Sequence, residues 1–511
     1  MSGDRQPARP QRSELDRRGF LRAASITAAV GGSVMLDPVG FAFADDADEQ
    51  TRVVEGRIEA AAPDWVYVPV QVPTGTTEIE VHYSYDRPTP PQGLPGNALD
   101  IGIFDVDGHE LGDSRGFRGW SGGARTSFTI SRSQATPGYV PGPIVRGTWH
   151  IILGPYTVAP QGLNYRLEIT LRRGRPGRDF VPSPAPERAA GRGRAWYRGD
   201  IHLHTVHSDG RWEPAALAAA VRAAGLDFMF STEHNTHTAS GVWGHHAGDD
   251  LLIVDGEEIT TRNGHYLAAG LPAGTWIDWR YRAADAVFPR FLDEIHGHGG
   301  LAIAAHPFCP YVGCSWKFGF AGIDAVEVWN GPWTPDDEIS LSQWDATLVE
   351  RVADGGRWLP AVGSSDSHND TQTVGNGQTV VLADDLTRAA VLDAIRAGRA
   401  YIAESAQVGL EFGATAGSAT AGIGERLDAA PGAEVTVDLR VTGAPGTTAA
   451  FVTDQGTIAT LPVPESGELS WTTRPQVSGY VRAEVRRPAT TPGLPGRMVA
   501  FTNPVFLGSL D

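Results

Sequence analysis

Residues 200–235 read DIHLHTVHSDGRWEPAALAAAVRAAGLDFMFSTEHN, and this stretch decides the fold. Asp200-Ile201-His202-Leu203 is strand-like. A helix follows over 213–224, with Pro214 in its first turn and Gly225 at its end. Residues 226–231 then read as a buried strand. The same alternation continues with a helix over 284–296, strands over 301–305 and 323–329, a helix over 341–353, a strand ending at Gly363 and a last helix over 386–396. Alternating strands and helices over about 200 residues predict an α/β fold with a parallel sheet, most simply a barrel.

On either side the pattern changes. Residues 51–172 alternate apolar and polar side chains in short runs, as in Glu78-Ile79-Glu80-Val81-His82-Tyr83 and Leu167-Glu168-Ile169-Thr170-Leu171. Period two without helical periodicity predicts an N-terminal β-sandwich. Residues 173–195, rich in Pro, Arg, Gly and Ala, read as a linker to a segment spanning 196–404. β character returns over 405–511, for example in Val435-Thr436-Val437-Asp438-Leu439-Arg440-Val441.

The first 44 residues carry a different signal. Arg17-Arg18-Gly19-Phe20-Leu21-Arg22 precedes a mildly apolar run over 23–36, and Ala42-Phe43-Ala44 precedes two aspartates. This is the pattern of a twin-arginine export signal with an Ala-x-Ala cleavage site. It predicts a periplasmic or extracellular protein whose partner during export is the twin-arginine machinery. The apolar run is too short to suit a membrane span, so no membrane association is expected after cleavage. The formal net charge of −18, with Lys317 the only lysine among 511 residues, argues against nucleic acid as a partner. It leaves open a small-molecule substrate meeting cations in a cleft. Cys309 and Cys314 make neither a disulfide scaffold nor a structural zinc site; a local disulfide or two free thiols both fit.

Twelve of the fifteen histidines fall between 202 and 368. Most stand just past predicted strands, where the loops of a barrel converge. In His202-Leu203-His204 the imidazoles are two residues apart, so a strand would point both to one face. His207-Ser208-Asp209-Gly210 follows in the first loop, and the next strand ends Thr232-Glu233-His234-Asn235. Asp255-Gly256-Glu257-Glu258, Gly264-His265, Ala305-His306-Pro307 and Gly363-Ser364-Ser365-Asp366-Ser367-His368 complete the series. Each piece alone is modest; in order, each at a strand end, they predict a metal centre.

The ordered set HLHT, TEHN, GEE…GH, AHP and SDSH resembles the PHP (polymerase and histidinol phosphatase) superfamily over residues 196–404. The resemblance implies a distorted (β/α)7 barrel holding two or three divalent ions of zinc, manganese or iron. The leading signal, the leading β-sandwich and the trailing β-rich region resemble the carbamate-hydrolase-like (CehA/McbA) branch. Position by position, the resemblance implies that His202, His204 and Asp366 hold one ion. Glu258 would bridge to a second on His265 and His306, and Asp209, His234 and His368 would hold a third. Glu257 competes with Glu258, and His207 with Asp209. Glu233, where the commoner pattern has aspartate, would orient an imidazole. Asp366, Glu258 and His234 are the expected catalytic set, with Asp366 the proton acceptor.

The expected reaction is metal-dependent hydrolysis by an activated water. No Gly-x-Ser-x-Gly elbow offers an alternative nucleophile. An ester, amide or carbamate bond is the first expectation and a phosphomonoester or phosphodiester the alternative, because arginines are scattered rather than gathered near the ligands. A non-catalytic surface-binding protein is the reading from another class. Arg262, Glu327 and Asn330 are candidates for substrate contact or for support of the ligands, while solvated loops suit His237, His245 and His246 and helix capping suits His296 and His298.

Overall fold

The computed structural model describes residues 48–90, 92–354, 357–491 and 494–509. The export-signal reading falls outside the described residues. No helix among them is long and apolar enough to cross a membrane.

The N-terminal strands pair into two four-stranded antiparallel sheets. One runs Glu49–Ile58, Leu163–Arg173, Thr76–Tyr85, Ser127–Ser131; the other runs Val66–Val72, Gly147–Thr157, Ala98–Phe104, Phe117–Gly122. Their alternating inward residues, including Val54, Ile79, Val81 and Ile169 from one and Val68, Val70, Ile101 and Ile151 from the other, make one buried core. Apolar alternation on both sheets is what drives them face to face.

The histidine-rich segment builds a mixed sheet with few helices. Ala195–Asp200, Phe228–Ser231 and the start of Leu252–Thr261 pair in parallel. Leu301–Ala305, Ala325–Asn330 and Ala361–Ser364 also pair in parallel. Between these sets Gly264–Ala269 runs antiparallel to both neighbours. The expected (β/α)7 barrel is therefore not the fold. Four α-helices accompany the described residues: α1 (Pro214–Ala223), α2 (Phe288–Gly297), α3 (Pro335–Asp354) and α4 (Arg388–Arg396). The physical reason is local. Thr261 pairs with Gly264, so the chain reverses over Arg262-Asn263, and a two-residue reversal leaves no room for a crossover helix. Gly264 makes the turn at φ 114° with Trp316 packed against it, which a side chain would oppose. The sheet still curls back on itself: the Thr379 hydroxyl accepts from Gly363 N and donates to Gly363 O, tying Ala361–Ser364 to Gln378–Ala383.

The C-terminal β region is continuous with this sheet. Ala400–Ala403 pairs with Met498–Thr502, which leads on to Tyr480–Arg486, Thr448–Thr453 and Gly456–Pro462. A smaller antiparallel sheet, Ala419–Gly422, Gly409–Ala416, Val435–Thr442, Glu468–Thr473, covers one side. Arg482, buried, pairs with Asp345 of α3 and with Glu484 at 2.7 Å each, so ionic contacts as well as strand pairing join the two regions.

Candidate metal centre

The first strand sets the site. Asp200, buried at its end, accepts from Ser365 N at 3.0 Å, Ser365 Oγ at 2.5 Å and Gly375 N at 2.8 Å. Those bonds pin the loop that carries Asp366 and His368 beside His202 and His204. Strand alternation then places Glu258 inward with the imidazoles and Glu257 outward.

The structure brings all nine expected ligands into one connected cluster. Glu258 is its hub. Its Oε2 lies 2.9 Å from His234 Nδ1, 3.1 Å from His202 Nε2 and 3.4 Å from His204 Nε2. Its Oε1 lies 2.8 Å from His265 Nδ1 and 3.2 Å from His306 Nε2. Asp366 Oδ1 stands 3.0 Å from His204 Nε2 and 3.4 Å from His202 Nε2. Asp209 Oδ1 stands 3.3 Å from His368 Nε2 and 3.5 Å from His234 Nε2. Ligand atoms fall within 4.8 Å of one another in several overlapping groups: His204, Asp209, His234 and His368; His202, His306 and Asp366; His202, His204 and Glu258; His234, Glu258 and His265.

The donor set fits divalent cations. Nε2 of His202, His204 and His265, Oε2 of Glu258 and Oδ1 of Asp366 are buried and make no hydrogen bond. Buried polar atoms are almost always satisfied, so convergent imidazole and carboxylate atoms left without a hydrogen-bond partner mark a place for a cation. The charges agree. Burial opposes ionisation of Glu258 and Asp366, yet the imidazoles around them hold both carboxyls well below their usual range. Burial opposes charge on His234 too, and Glu258 and Asp209 nevertheless carry it up to about 10. Burial, with His368 and His234 adding to it, pushes His204 down to about 3. Loading an ion would displace protons from the raised imidazoles.

Backbone strain gathers at the same place. Of the four described non-glycine residues in the left-handed region, one, Ala286 (φ 57°), lies elsewhere, and three, Asn235 (φ 55°), His306 (φ 28°) and Asp366 (φ 48°), are expected ligands or, for Asn235, next to His234. Such conformations cost about 1–3 kcal/mol each and persist where the surroundings over-determine them.

Two buried carboxylates support the cluster from behind. Glu233 accepts from Thr205 N at 3.1 Å, from the Thr205 hydroxyl and from Ser208 Oγ at 2.5 Å, so it fixes the loop between His204 and Asp209 rather than touching an imidazole. Glu327 meets His202 Nδ1 at 3.2 Å through Oε1 and accepts His306 N at 2.8 Å through Oε2. Asn330 Nδ2 donates to Glu327 Oε2 at 3.1 Å and to Asp366 Oδ2 at 3.3 Å. Glu257 is not brought to the cluster. It is buried on the opposite face, accepts from Ile277 N at 2.9 Å, and burial pushes its carboxyl well up. His207 likewise turns away, its Nδ1 3.0 Å from Thr238 Oγ1. Cys309 and Cys314 form a disulfide, which removes Cys314 as a ligand although it lies near His265 and His306.

A cavity of about 500 Å³ opens over Asp209, His234 and His265. Part of its lining comes from the sandwich: Trp65, Asp100, Trp120 and Tyr156 line it together with Arg262 and Trp279. Arg262 donates to Tyr156 O at 2.9 Å, and its guanidinium lies 4.6 Å from the Tyr156 ring centroid. The sandwich is docked firmly here. Trp279 packs 4.7 Å from Trp120 and 5.7 Å from Trp65 between ring centroids, and Trp276 stacks on Phe117 at 4.3 Å. Arg280, paired with Asp278 at 2.6 Å, donates to Tyr67 Oη at 2.6 Å and to His109 O at 2.8 Å. Nothing in the residue pattern marks this wall, because period two says which sandwich residues alternate but not which strand faces another region.

Residues 356–400 match the family described as PHP-associated (PHP_C). No curated protein matches the chain. Among solved structures it is similar to a two-domain protein containing a predicted PHP-like metal-dependent phosphoesterase from Bacteroides vulgatus ATCC 8482, at 16% identity over 65% of this chain and 100% of that one, with a TM-score of 0.33. An amidohydrolase from Chromobacterium violaceum with bound sulfate and no metal shares 17% identity over 34% of this chain and 89% of its own, with a TM-score of 0.26. A protein from Bifidobacterium adolescentis ATCC 15703 described as a metal-dependent phosphoesterase shares 21% over 37% and 92%, with a TM-score of 0.25.

Proposed function

We propose that the chain is a metal-dependent hydrolase of the PHP type that cleaves ester, amide or carbamate bonds. The observation that carries this reading is the convergence of His202, His204, Asp209, His234, Glu258, His265, His306, Asp366 and His368 with buried ligand atoms left free of hydrogen bonds. Divalent ions held there would activate a water and polarise the scissile carbonyl. The chain's own residues do the rest. Glu258 spaces the imidazoles, Asp366 stands where it can take the water's proton, and Asn330 orients that carboxylate. Trp65, Trp120 and Trp279 give the cavity an apolar side, and low polarity beside the site strengthens polar contacts there.

Phosphoester hydrolysis is the second reading. Arg262 is the one arginine lining the cavity among the described residues, and it is already bonded to Tyr156 O. A phosphoryl site would be expected to present more free guanidinium groups, and this places the acyl substrates first. Export by the twin-arginine route, on the residues before Asp45, belongs to the same proposal. Metal-loaded protein assayed in parallel on aryl carbamates, carboxylic esters and 4-nitrophenyl phosphate tests it. Turnover of acyl substrates supports the reading, and turnover of phosphoesters alone overturns the choice of bond.

A further inference from the structure

The sandwich places one carboxylate in the cavity that no part of the metal cluster requires. Asp100 lies on the strand Ala98–Phe104 and lines the same cavity as Asp209, His234 and His265. No hydrogen bond from a described residue reaches its carboxylate, in contrast to Glu233, Glu327 and Asp200, each of which is held by several donors. Space is kept open in front of it. A Cβ at Gly123 would stand 3.3 Å from Asp100 Oδ1, and one at Gly122 3.9 Å away. The charged and titratable groups that face Asp100 are Arg262, His234, Asp209, Tyr156 and Tyr83. Burial pushes its carboxyl up to about 6, against the pull of Arg262 and His234, so it holds a proton more readily than an open carboxylate does. The packing of Trp279 on Trp65 and Trp120 makes its position a fixed property of the fold.

We propose that Asp100, supplied by the N-terminal sandwich, is the catalytic acid that protonates the leaving group. The active site is then composite, and the sandwich is part of the catalytic machinery rather than an appendage. The proposal rests on the hydrolase reading. Water adds its oxygen to the acyl carbon and its proton passes to Asp366. The bond from the acyl carbon to the leaving oxygen or nitrogen breaks, and the departing atom takes the proton of Asp100. Solvent then returns a proton to Asp100 and receives the one on Asp366, so the net reaction consumes one water.

A proton donor matters only where the leaving group cannot depart as an anion, and this gives a test. Wild-type protein and Asp100→Asn are compared on a matched pair of acyl substrates. One releases 4-nitrophenolate, which leaves unprotonated; the other releases a simple alkoxide. Loss of a general acid should lower kcat/KM on the alkyl substrate by about 100-fold or more while the nitrophenyl substrate changes by about threefold or less. Metal content should stay at the wild-type level, and Asp100→Glu should recover part of the alkyl activity. If Asp100→Asn does not fold, Asp100→Glu reads the same split at smaller amplitude. Equal losses on both substrates, no loss on either, or a fall in metal content overturn the role of Asp100 and leave the hydrolase reading standing. A wild-type protein inactive on both substrates overturns the hydrolase reading itself, as does a His202→Ala variant that keeps full activity on both.

Discussion

Glu327→Gln changes one oxygen for an amide nitrogen at a buried position behind the metal centre. The two carboxylate oxygens take four donors. Oε1 serves His202 Nδ1 and the Ser364 hydroxyl, and Oε2 serves His306 N and Asn330 Nδ2. A glutamine keeps one acceptor oxygen, so its NH₂ must face one of these pairs. The backbone N–H of His306 cannot reverse its role, whereas a hydroxyl rotates and an imidazole changes tautomer. The lowest-cost arrangement therefore turns the NH₂ toward Ser364 and His202. His202 must then accept on Nδ1 and carry its hydrogen on Nε2, the atom that faces Glu258 and Asp366 and would bind the ion. Apoprotein stability should fall only by about 1–2 kcal/mol, since most donors find a partner again. Metal affinity should fall about 10–100-fold, equivalent to about 1.4–2.7 kcal/mol, the usual effect of losing a carboxylate behind a ligating histidine. Competition with a chromogenic chelator measures that affinity, and urea unfolding of the apoprotein measures the stability. An unchanged affinity, or a loss of stability of several kcal/mol with affinity intact, would refute the tautomer argument.

Trp279→Ala removes a buried ring from the seam between the sandwich and the metal-bearing segment; urea unfolding should show a loss of about 3–5 kcal/mol, and a loss below about 1 kcal/mol would show that the seam does not hold the two together. Acid should weaken the C-terminal region through Glu484. Burial alone would raise this carboxyl, but Arg482 and Arg486 outweigh it and hold the group below its ordinary 4.5. A lowered folded-state value contributes stability that is present above the unfolded value and lost as pH falls through the folded one. The stability difference between wild type and Glu484→Gln should therefore shrink on acidification below about pH 4.5, and a difference independent of pH would contradict the pairing. Removing bound ions with a chelator should lower the unfolding midpoint, because a ligand held at about 100 times its Kd adds about 2.7 kcal/mol; an identical midpoint with and without the chelator would count against ion binding by the folded state.

The clustered residues were legible because each sits in a short motif at a strand end. Period two pairs His202 with His204 and sets Glu257 and Glu258 on opposite faces, but the choice of Glu258 came from the family resemblance and not from the period. α1 was legible almost to the residue because Pro214 and Gly225 bracket it, whereas the start of α3 at Pro335 lies six residues before the expected one. The sheet was less so. Its reversal at Arg262-Asn263 is a two-residue event in the polar stretch Thr260-Thr261-Arg262-Asn263-Gly264, whose Asn-Gly pair is a hairpin signal that the alternation of strands and helices around it overshadowed. The merging of the C-terminal strands into the central sheet is a pairing across about 100 residues of chain, and such pairing leaves no local trace. The same holds for Asp100, which lies in a strand of ordinary pattern. Only the docking of Trp276 and Trp279 against Phe117, Trp65 and Trp120 brings it into one cavity with His234 and His265.

The central claim is that one carboxylate, Glu258, gathers imidazoles around bound divalent ions. Elemental analysis of wild-type protein beside Glu258→Gln, purified identically and passed through a metal-free column, tests it most directly. The account predicts at least two equivalents of divalent transition metal per chain in the wild type and a loss of at least one in the variant, with the far-ultraviolet spectrum unchanged. A wild-type chain without metal, or a Glu258→Gln chain with the full complement, would contradict it.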